Sequence, residues 1–348
     1  MKSVSICLGF LLSLAGLLLF SPPTGAKDGG GNPFKHLVDI GGGRHLNMVC
    51  AGKGLPTIVF MQGLGGNFAD WRKVREPVTA LTRTCFYDRA GLGYSDPSDK
   101  PSSAANVADD LHALLRAAGI KDRVVLVGAS LGGLFATYYA DKFGADVAGL
   151  VLVDPSFSGQ FDYAVNAGDG KILDDTSKDF AVTMRSCGKL AGEGKLSKTD
   201  SHDYFFPLQS NLTPDYAEYV LQSTLRAPYY AGLASETKNL EARKENDRYV
   251  DGVDGDQERR IARTFGSLPL IVLTSGKALR TMTISEAGKA AAQGVWERGH
   301  DRLAQRSTRG ESIHLPDTGH RIDLEKPERI VESILKVVAQ VREQGRFR

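Results

Sequence analysis

Gly128-Ala129-Ser130-Leu131-Gly132 sets a serine between two glycines, directly after the apolar run Val124-Val125-Leu126-Val127 and directly before a helix-forming stretch, Leu134 to Phe143. A strand that turns sharply into a helix at a serine presents the hydroxyl outward, the setting in which serine becomes a nucleophile. Such a serine sits in a strained conformation, and a side chain at position 128 or 132 would collide across the turn. The bland alternative is a surface serine between two turn glycines, and the flanking strand and helix weigh against it. A serine hydroxyl is a poor nucleophile at neutral pH, so it needs a base within hydrogen-bond reach and an acid to orient that base. The chain offers seven histidines, at 36, 45, 112, 202, 300, 314 and 320. No Cys-x-x-Cys pair and no histidine cluster at metal-ligand spacing is present, so a zinc site is not expected and the chemistry is read as cofactor-independent.

The elements that must position Ser130 follow a regular rhythm. Thr57-Ile58-Val59-Phe60-Met61 reads as a buried strand ending in Gln62-Gly63-Leu64-Gly65-Gly66-Asn67, followed by a helix over 69–81. A second strand, Thr84-Cys85-Phe86-Tyr87, runs into Asp88-Arg89-Ala90-Gly91-Leu92-Gly93-Tyr94-Ser95, then a helix over 104–118. After the Ser130 strand and its helix comes the strand Gly149-Leu150-Val151-Leu152-Val153, ending at Asp154-Pro155. Continuous apolar runs alternating with amphipathic helices predict an α/β fold, a mostly parallel sheet covered by helices on both faces. The segments His36 to Ile40 and His45 to Val49 suit an opening hairpin across Gly41-Gly42-Gly43.

The rhythm stops after Pro155 and resumes at Leu268-Pro269-Leu270-Ile271-Val272-Leu273-Thr274. Roughly 110 residues lie between, too many for a structureless loop in a compact domain. They carry Phe161, Tyr163, Phe180, Tyr204, Phe205, Phe206, Tyr216, Tyr219, Tyr229 and Tyr230 among helix formers, which reads as an inserted helical cap over 157–265. The flanking core is then 27–156 and 266–348, closing with the strand Ser312-Ile313-His314-Leu315, the loop Pro316-Asp317-Thr318-Gly319-His320 and a helix over 327–341.

At the other end, Lys2 precedes an apolar run from Ile6 to Phe20, broken by Ser21-Pro22-Pro23 ahead of Thr24-Gly25-Ala26. That pattern predicts a cleavable signal peptide over 1–26 and a secreted or periplasmic protein, with no stable membrane anchor after processing. Three cysteines, Cys50, Cys85 and Cys187, would survive processing, and an oxidising compartment makes one disulfide plausible with one thiol left over. The formal net charge of +2, with both signs mixed along the chain, gives no argument for nucleic acid and points to a small-molecule substrate.

Taken together, Gly63-Leu64-Gly65-Gly66, Tyr87-Asp88-Arg89-Ala90-Gly91-Leu92-Gly93-Tyr94-Ser95, the Ser130 pentapeptide, Leu152-Val153-Asp154-Pro155 and Thr318-Gly319-His320 before Glu325-Lys326-Pro327 make the chain resemble the α/β-hydrolase superfamily. Within it the resemblance is to cap-bearing serine hydrolases of the prolyl-aminopeptidase, esterase and haloperoxidase-like group. It implies that His320, in the loop after the last strand, lies over Ser130 as the base. It also implies an oxyanion hole from the backbone N–H groups of Leu131 and Leu64. Gln62 stands where a histidine is commoner, which leaves the backbone donors intact. The acid in much of the superfamily follows the strand after the cap, but here that strand ends Thr274-Ser275-Gly276-Lys277-Ala278 without a carboxylate. Some members place it after the strand that follows the nucleophile helix, where Asp154 stands, with Glu286 and Asp301 as the alternatives and a turn-capping role for Asp154 as the competitor. Asp88 and Arg89 read as structural, Asp88 holding its loop and Arg89 pairing nearby. Cys50 and Cys85 fall on strands expected to be neighbours, which makes them the candidate disulfide, and Cys187 a buried residue in the cap. The expected activity is cleavage of an ester, amide or related carbonyl of a small apolar substrate through an acyl-enzyme on Ser130. A carboxylesterase comes first, with an aminopeptidase, a carbon–carbon bond hydrolase or a non-catalytic ligand-binding member of the fold as alternatives.

Overall fold

The computed structural model describes residues 32–161, 170–196, 212–246, 248–278 and 285–344. The signal peptide expected over 1–26 and the aromatic residues Tyr163, Tyr204, Phe205 and Phe206 lie outside them. The strands are β1 (Leu37–Asp39), β2 (His45–Ala51), β3 (Thr57–Met61), β4 (Thr84–Tyr87), β5 (Val124–Ala129), β6 (Val147–Val153), a small separate hairpin of β7 (Arg243–Glu245) and β8 (Arg248–Val250), then β9 (Leu270–Lys277) and β10 (Gly310–Gly319). Eight of them form one sheet in the order β1-β2-β4-β3-β5-β6-β9-β10. β1 and β2 pair antiparallel to each other and β2 antiparallel to β4, while every pairing from β4 to β10 is parallel. The opening hairpin turns at Gly41, Gly42 and Gly43, all three at positive φ, a region that glycine enters without steric cost.

The uninterrupted apolar runs of the sequence are explained by the strand period of two. In β5, Val124 and Leu126 join one core cluster while Val125 and Val127 join the other. β3, β6 and β9 divide their residues in the same way, so both faces of each central strand are buried. One face is covered by α2 (Ala104–Ala117) and α3 (Leu131–Lys142) through residues such as Leu111 and Phe135, and by α8 (Glu286–Ala304) through Val295 and Leu303. The other is covered by α1 (Arg72–Leu81) through Val74 and Val78 and by α9 (Pro327–Glu343) through Ile330, Ile334 and Val337. Two boundaries differ from the sequence expectation. The helix expected over 69–81 begins as a 3-10 turn, Phe68–Trp71, capped by Asn67, before α1 starts. The last strand runs on through Pro316 to Gly319, with a register irregularity after Leu315 that absorbs the proline.

Between β6 and β9 lie α4 (Gly170–Gly192), α5 (Pro214–Thr224), α6 (Ala227–Leu240), the β7/β8 hairpin and α7 (Val253–Ile261). The helical expectation for this insertion omitted the hairpin. Phe180, Met184, Cys187, Tyr229, Tyr230 and Leu233 give it a small apolar cluster that closes on Leu92 of the sheet-edge loop. Polar contacts tie it to the core. Asp254 of α7 accepts the Ala104 N–H at 2.7 Å and so caps α2 from outside, the role that its own N-cap residue Ser103 does not perform.

Asp254 is fully buried, and burial pushes its pKa up to about 7, with the Glu236 charge adding to the rise while the Ala104 N–H and Arg89 oppose it. A carboxyl raised above its unfolded value favours the folded state while protonated, and this contribution is lost as pH climbs from the unfolded value to the folded one. Between pH 6 and pH 8 it should therefore cost about 1 kcal/mol of stability. Asn at this position keeps the accepting oxygen and has no charge to bury. Asp254→Asn should accordingly raise the melting temperature at both pH 6 and pH 8, and by more at pH 8, as read by calorimetry at the two values.

Candidate active site

Because β4, β3, β5, β6, β9 and β10 run parallel, the loops after them gather along one edge, the place where open α/β sheets put their chemistry. Ser130 follows β5, Asp154 follows β6, Ser275 lies near the end of β9, His320 follows β10, and the Gly63 to Gly66 loop follows β3. Ser130 has φ 51° and ψ −124°, a left-handed backbone that costs energy for any residue with a side chain. The flanking glycines are required by space as well as by conformation. A Cβ at Gly128 would stand 2.4 Å from the Gly132 carbonyl oxygen, and one at Gly132 would stand 2.2 Å from the Met61 carbonyl oxygen. The turn is pinned from both sides: the Ser130 N–H donates to the Val153 carbonyl at 3.0 Å, and the Ser130 carbonyl accepts from Gly133 and Ser156 at 2.8 and 2.9 Å.

Asp154 is fully buried and also left-handed, at φ 46°. Its Oδ2 accepts from His320 Nδ1 at 2.6 Å and from the Ser275 hydroxyl at 2.6 Å. Its Oδ1 accepts from the Ser275 N–H and from Trp296 Nε1, both at 2.8 Å. Burial alone would raise the carboxyl, but the His320 hydrogen bond, the electrostatic influence of the His320 and His300 imidazoles, and the Ser275 hydroxyl together hold it below the usual carboxylate range. Asp154 is thus an ionised acceptor that leaves His320 Nδ1 no role but donor. The imidazole proton is fixed on Nδ1, and Nε2 is left with a lone pair.

The other acids lie elsewhere. Glu286, at the exposed start of α8, pairs with Lys289 at 2.9 Å. Asp301 accepts from Ser312 at 2.7 Å and meets His314 Nε2 at 2.8 Å. Neither approaches His320. Asp88 is buried and accepts from Asn47, from the Tyr94 N–H and from the Tyr219 hydroxyl of α5, which makes it a tie between the insertion and the sheet-edge loop.

Three residues around Asp154 carried no sequence signal for this place. Ser275 occupies the strand end where the resemblance would place the acid and instead donates two hydrogen bonds to the carboxylate opposite. Trp296 and His300 sit one turn apart on α8 and face the same loop. His300 is buried, and its Nε2 lies 2.8 Å from the Pro155 carbonyl, which can only accept, so Nε2 carries the proton and Nδ1 accepts from the Thr274 hydroxyl at 2.9 Å. Burial lowers its pKa and keeps it neutral, against the pull of Asp154. His300 therefore braces the residues next to Asp154 and Ser275 without competing for the carboxylate.

Gly63 lies against Ser130, close enough that a Cβ there would stand 3.3 Å from the Ser130 Cβ. Among the described residues, neither the Leu64 N–H of this loop nor the Leu131 N–H at the start of α3 donates a hydrogen bond. Two unspent donors thus flank the serine, as an anion-stabilising pair requires. Among the described residues no hydrogen bond joins the Ser130 hydroxyl to His320, whose side chain is 36% exposed. Such contacts are commonly loose in a free site and tighten when substrate docks. A cavity of about 500 Å³ elsewhere, lined by Lys35, His36, Met48, Cys50, Arg83 and Ala118 among others, shares no residue with this constellation. Among the described residues no group of three or more histidine, cysteine or acidic side chains could hold a metal.

The fold is that of the α/β hydrolases. The model of the alpha/beta hydrolase fold family matches residues 56–186. The Bacillus subtilis (strain 168) protein YqjL is 33% identical over 100 residues, covering 29% of this chain and 40% of that protein. The matched stretches span less than half the length of the curated relatives. Among solved structures, a thermophilic esterase from Thermogutta terrifontis superposes with a TM-score of 0.54 at 21% identity, over 86% of this chain and 94% of that one. The enol-lactonase from Burkholderia xenovorans LB400 does so with a TM-score of 0.55 at 17% identity, over 87% and 99%.

Proposed function

We propose that the protein is a serine hydrolase of carboxylesterase type. Ser130 is the nucleophile, His320 the base, Asp154 the residue that orients it, and Leu64 and Leu131 supply the oxyanion-binding N–H groups. The observation that carries this reading is the 2.6 Å contact from His320 Nδ1 to a buried, fourfold hydrogen-bonded Asp154 beside a strained serine. In the acylation step the Ser130 oxygen bonds to the substrate carbonyl carbon, its proton moves to His320 Nε2, and the carbonyl electron pair becomes an oxyanion at the Leu64 and Leu131 amides. Collapse of that intermediate expels the leaving group with the proton from His320, and water repeats the sequence to release the acid. The segment over 157–265 is read as the cap that covers the site and selects a small, apolar substrate. Assay against p-nitrophenyl esters of graded acyl length and against aminoacyl anilides tests the assignment. Turnover of short to medium esters above anilides is expected. Preference for anilides would instead mark an aminopeptidase-like enzyme, and a folded protein inactive on both would mark a ligand-binding member, the reading favoured by the open contact between Ser130 and His320.

The protein is further read as exported, with 1–26 removed. Supporting this is the Cys50–Cys85 disulfide, which links directly opposed residues of β2 and β4 and would not persist in a reducing compartment. Among the described residues no helix is long and apolar enough to cross a membrane. Non-reducing peptide mapping of the protein from its native host should recover Cys50 joined to Cys85 and a chain beginning near Lys27. Recovery of both cysteines as thiols, or of an intact N-terminus, would contradict export.

A further inference from the structure

The Leu64 amide sits between two peptide groups whose hydrogen bonds lead to one buried ion pair. Arg89, in the loop after β4, donates from Nη1 to the Gln62 carbonyl and from Nη2 to the Gly63 carbonyl, both at 2.6 Å. The same guanidinium pairs with Glu236 of α6, Nε to Oε1 at 2.5 Å and Nη2 to Oε2 at 3.0 Å. Glu236 Oε2 in turn accepts the Gly65 N–H at 2.8 Å. Both side chains are almost fully buried, at 2% and 1% exposure.

The Gly63 carbonyl and the Leu64 N–H belong to one planar peptide and point in opposite directions. Holding the carbonyl therefore aims the N–H, and a guanidinium on the oxygen polarises the group into a stronger donor. The following peptide is held by Glu236, so the Leu64 N–H is the unspent donor between two clamped neighbours. A buried ion pair is in general weak evidence for stability and is better understood as fixing geometry.

We propose that Glu236 is a positioning residue of the insertion, which through Arg89 and Gly65 sets the direction of the Leu64 N–H and so makes oxyanion binding depend on the seating of α6. This rests on the serine hydrolase reading. Leu233 of the same helix reinforces the seating, since a Cβ at Gly65 would stand 2.5 Å from its Cδ1.

The test measures steady-state kinetics and the affinity of an alkyl trifluoromethyl ketone in wild type, Glu236→Gln and Arg89→Met/Glu236→Leu. Addition of Ser130 to the ketone forms the oxygen–carbon bond, breaks the carbonyl π bond into an alkoxide that needs the hole, and passes the serine proton to His320. In Glu236→Gln, kcat and ketone affinity should each fall about a hundredfold while KM stays within about twofold, the signature of a lost oxyanion donor. The double variant removes the stranded charge and should regain the melting temperature, yet keep both deficits. If the double variant binds ketone and turns over within about threefold of wild type, Glu236 is merely structural and the proposal fails. If wild type itself neither turns over ester nor binds ketone, the hydrolase reading fails and the coupling with it. If Glu236→Gln does not accumulate folded, the double variant decides alone.

Discussion

Ser130→Ala and His320→Ala should each lower ester turnover by about 10⁴-fold or more, because nucleophile and base act as one unit and losing either costs nearly as much as losing both. Their stabilities should differ. Among the described residues the Ser130 hydroxyl makes no hydrogen bond, so its removal strands no partner there, and alanine inherits the same strained backbone. His320 supplies one of four hydrogen bonds to a buried carboxylate, and His320→Ala should cost about 1–2 kcal/mol. Denaturant titration beside initial-rate assays separates the two effects. Ser130→Ala retaining more than about a tenth of wild-type turnover would end the nucleophile assignment.

Asp154→Asn should lower turnover by about 10³ to 10⁴ while preserving the fold. With the amide oxygen in place of Oδ1, the Ser275 N–H and Trp296 Nε1 keep their acceptor. The amide nitrogen then replaces Oδ2, donates to the Ser275 hydroxyl and forces His320 Nδ1 to accept. The imidazole proton moves to Nε2, the atom that must take the serine proton, and the base is lost to the wrong tautomer. Nitrogen-15 shifts of His320 should report that exchange. Glu286→Gln and Asp301→Asn should leave turnover within about twofold, since their partners are Lys289, Ser312 and His314. A tenfold loss in either, or near-normal turnover in Asp154→Asn, would reassign the acid.

Much of the scaffold was legible because buried parallel strands write themselves as unbroken apolar runs, and β3, β5, β6 and β9 each do so. Ser130 was legible because a strained turn demands glycines at fixed spacing. Asp154 was legible only by position, at a strand end beside the nucleophile strand, and its approach to His320 across 166 residues of sequence is a product of topology. What surrounds it was not legible. Ser275, Trp296 and His300 reach Asp154 or its neighbours through space from β9 and α8, and no local pattern distinguishes them from ordinary strand and helix residues. Arg89 was read as pairing nearby, but its partner Glu236 lies 147 residues on, in an insertion whose helices follow no fixed template. The small β7/β8 hairpin escaped notice because strands of three residues carry too little period to separate from loop.

Activation of Ser130 is the claim on which the functional account stands, and covalent capture reads it directly. Wild-type protein treated with a fluorophosphonate and examined by intact mass and peptide mapping should carry one adduct, located on Ser130, with labelling lost in His320→Ala at neutral pH. A wild-type protein that stays unlabelled while folded, or an adduct on any other residue, would contradict it.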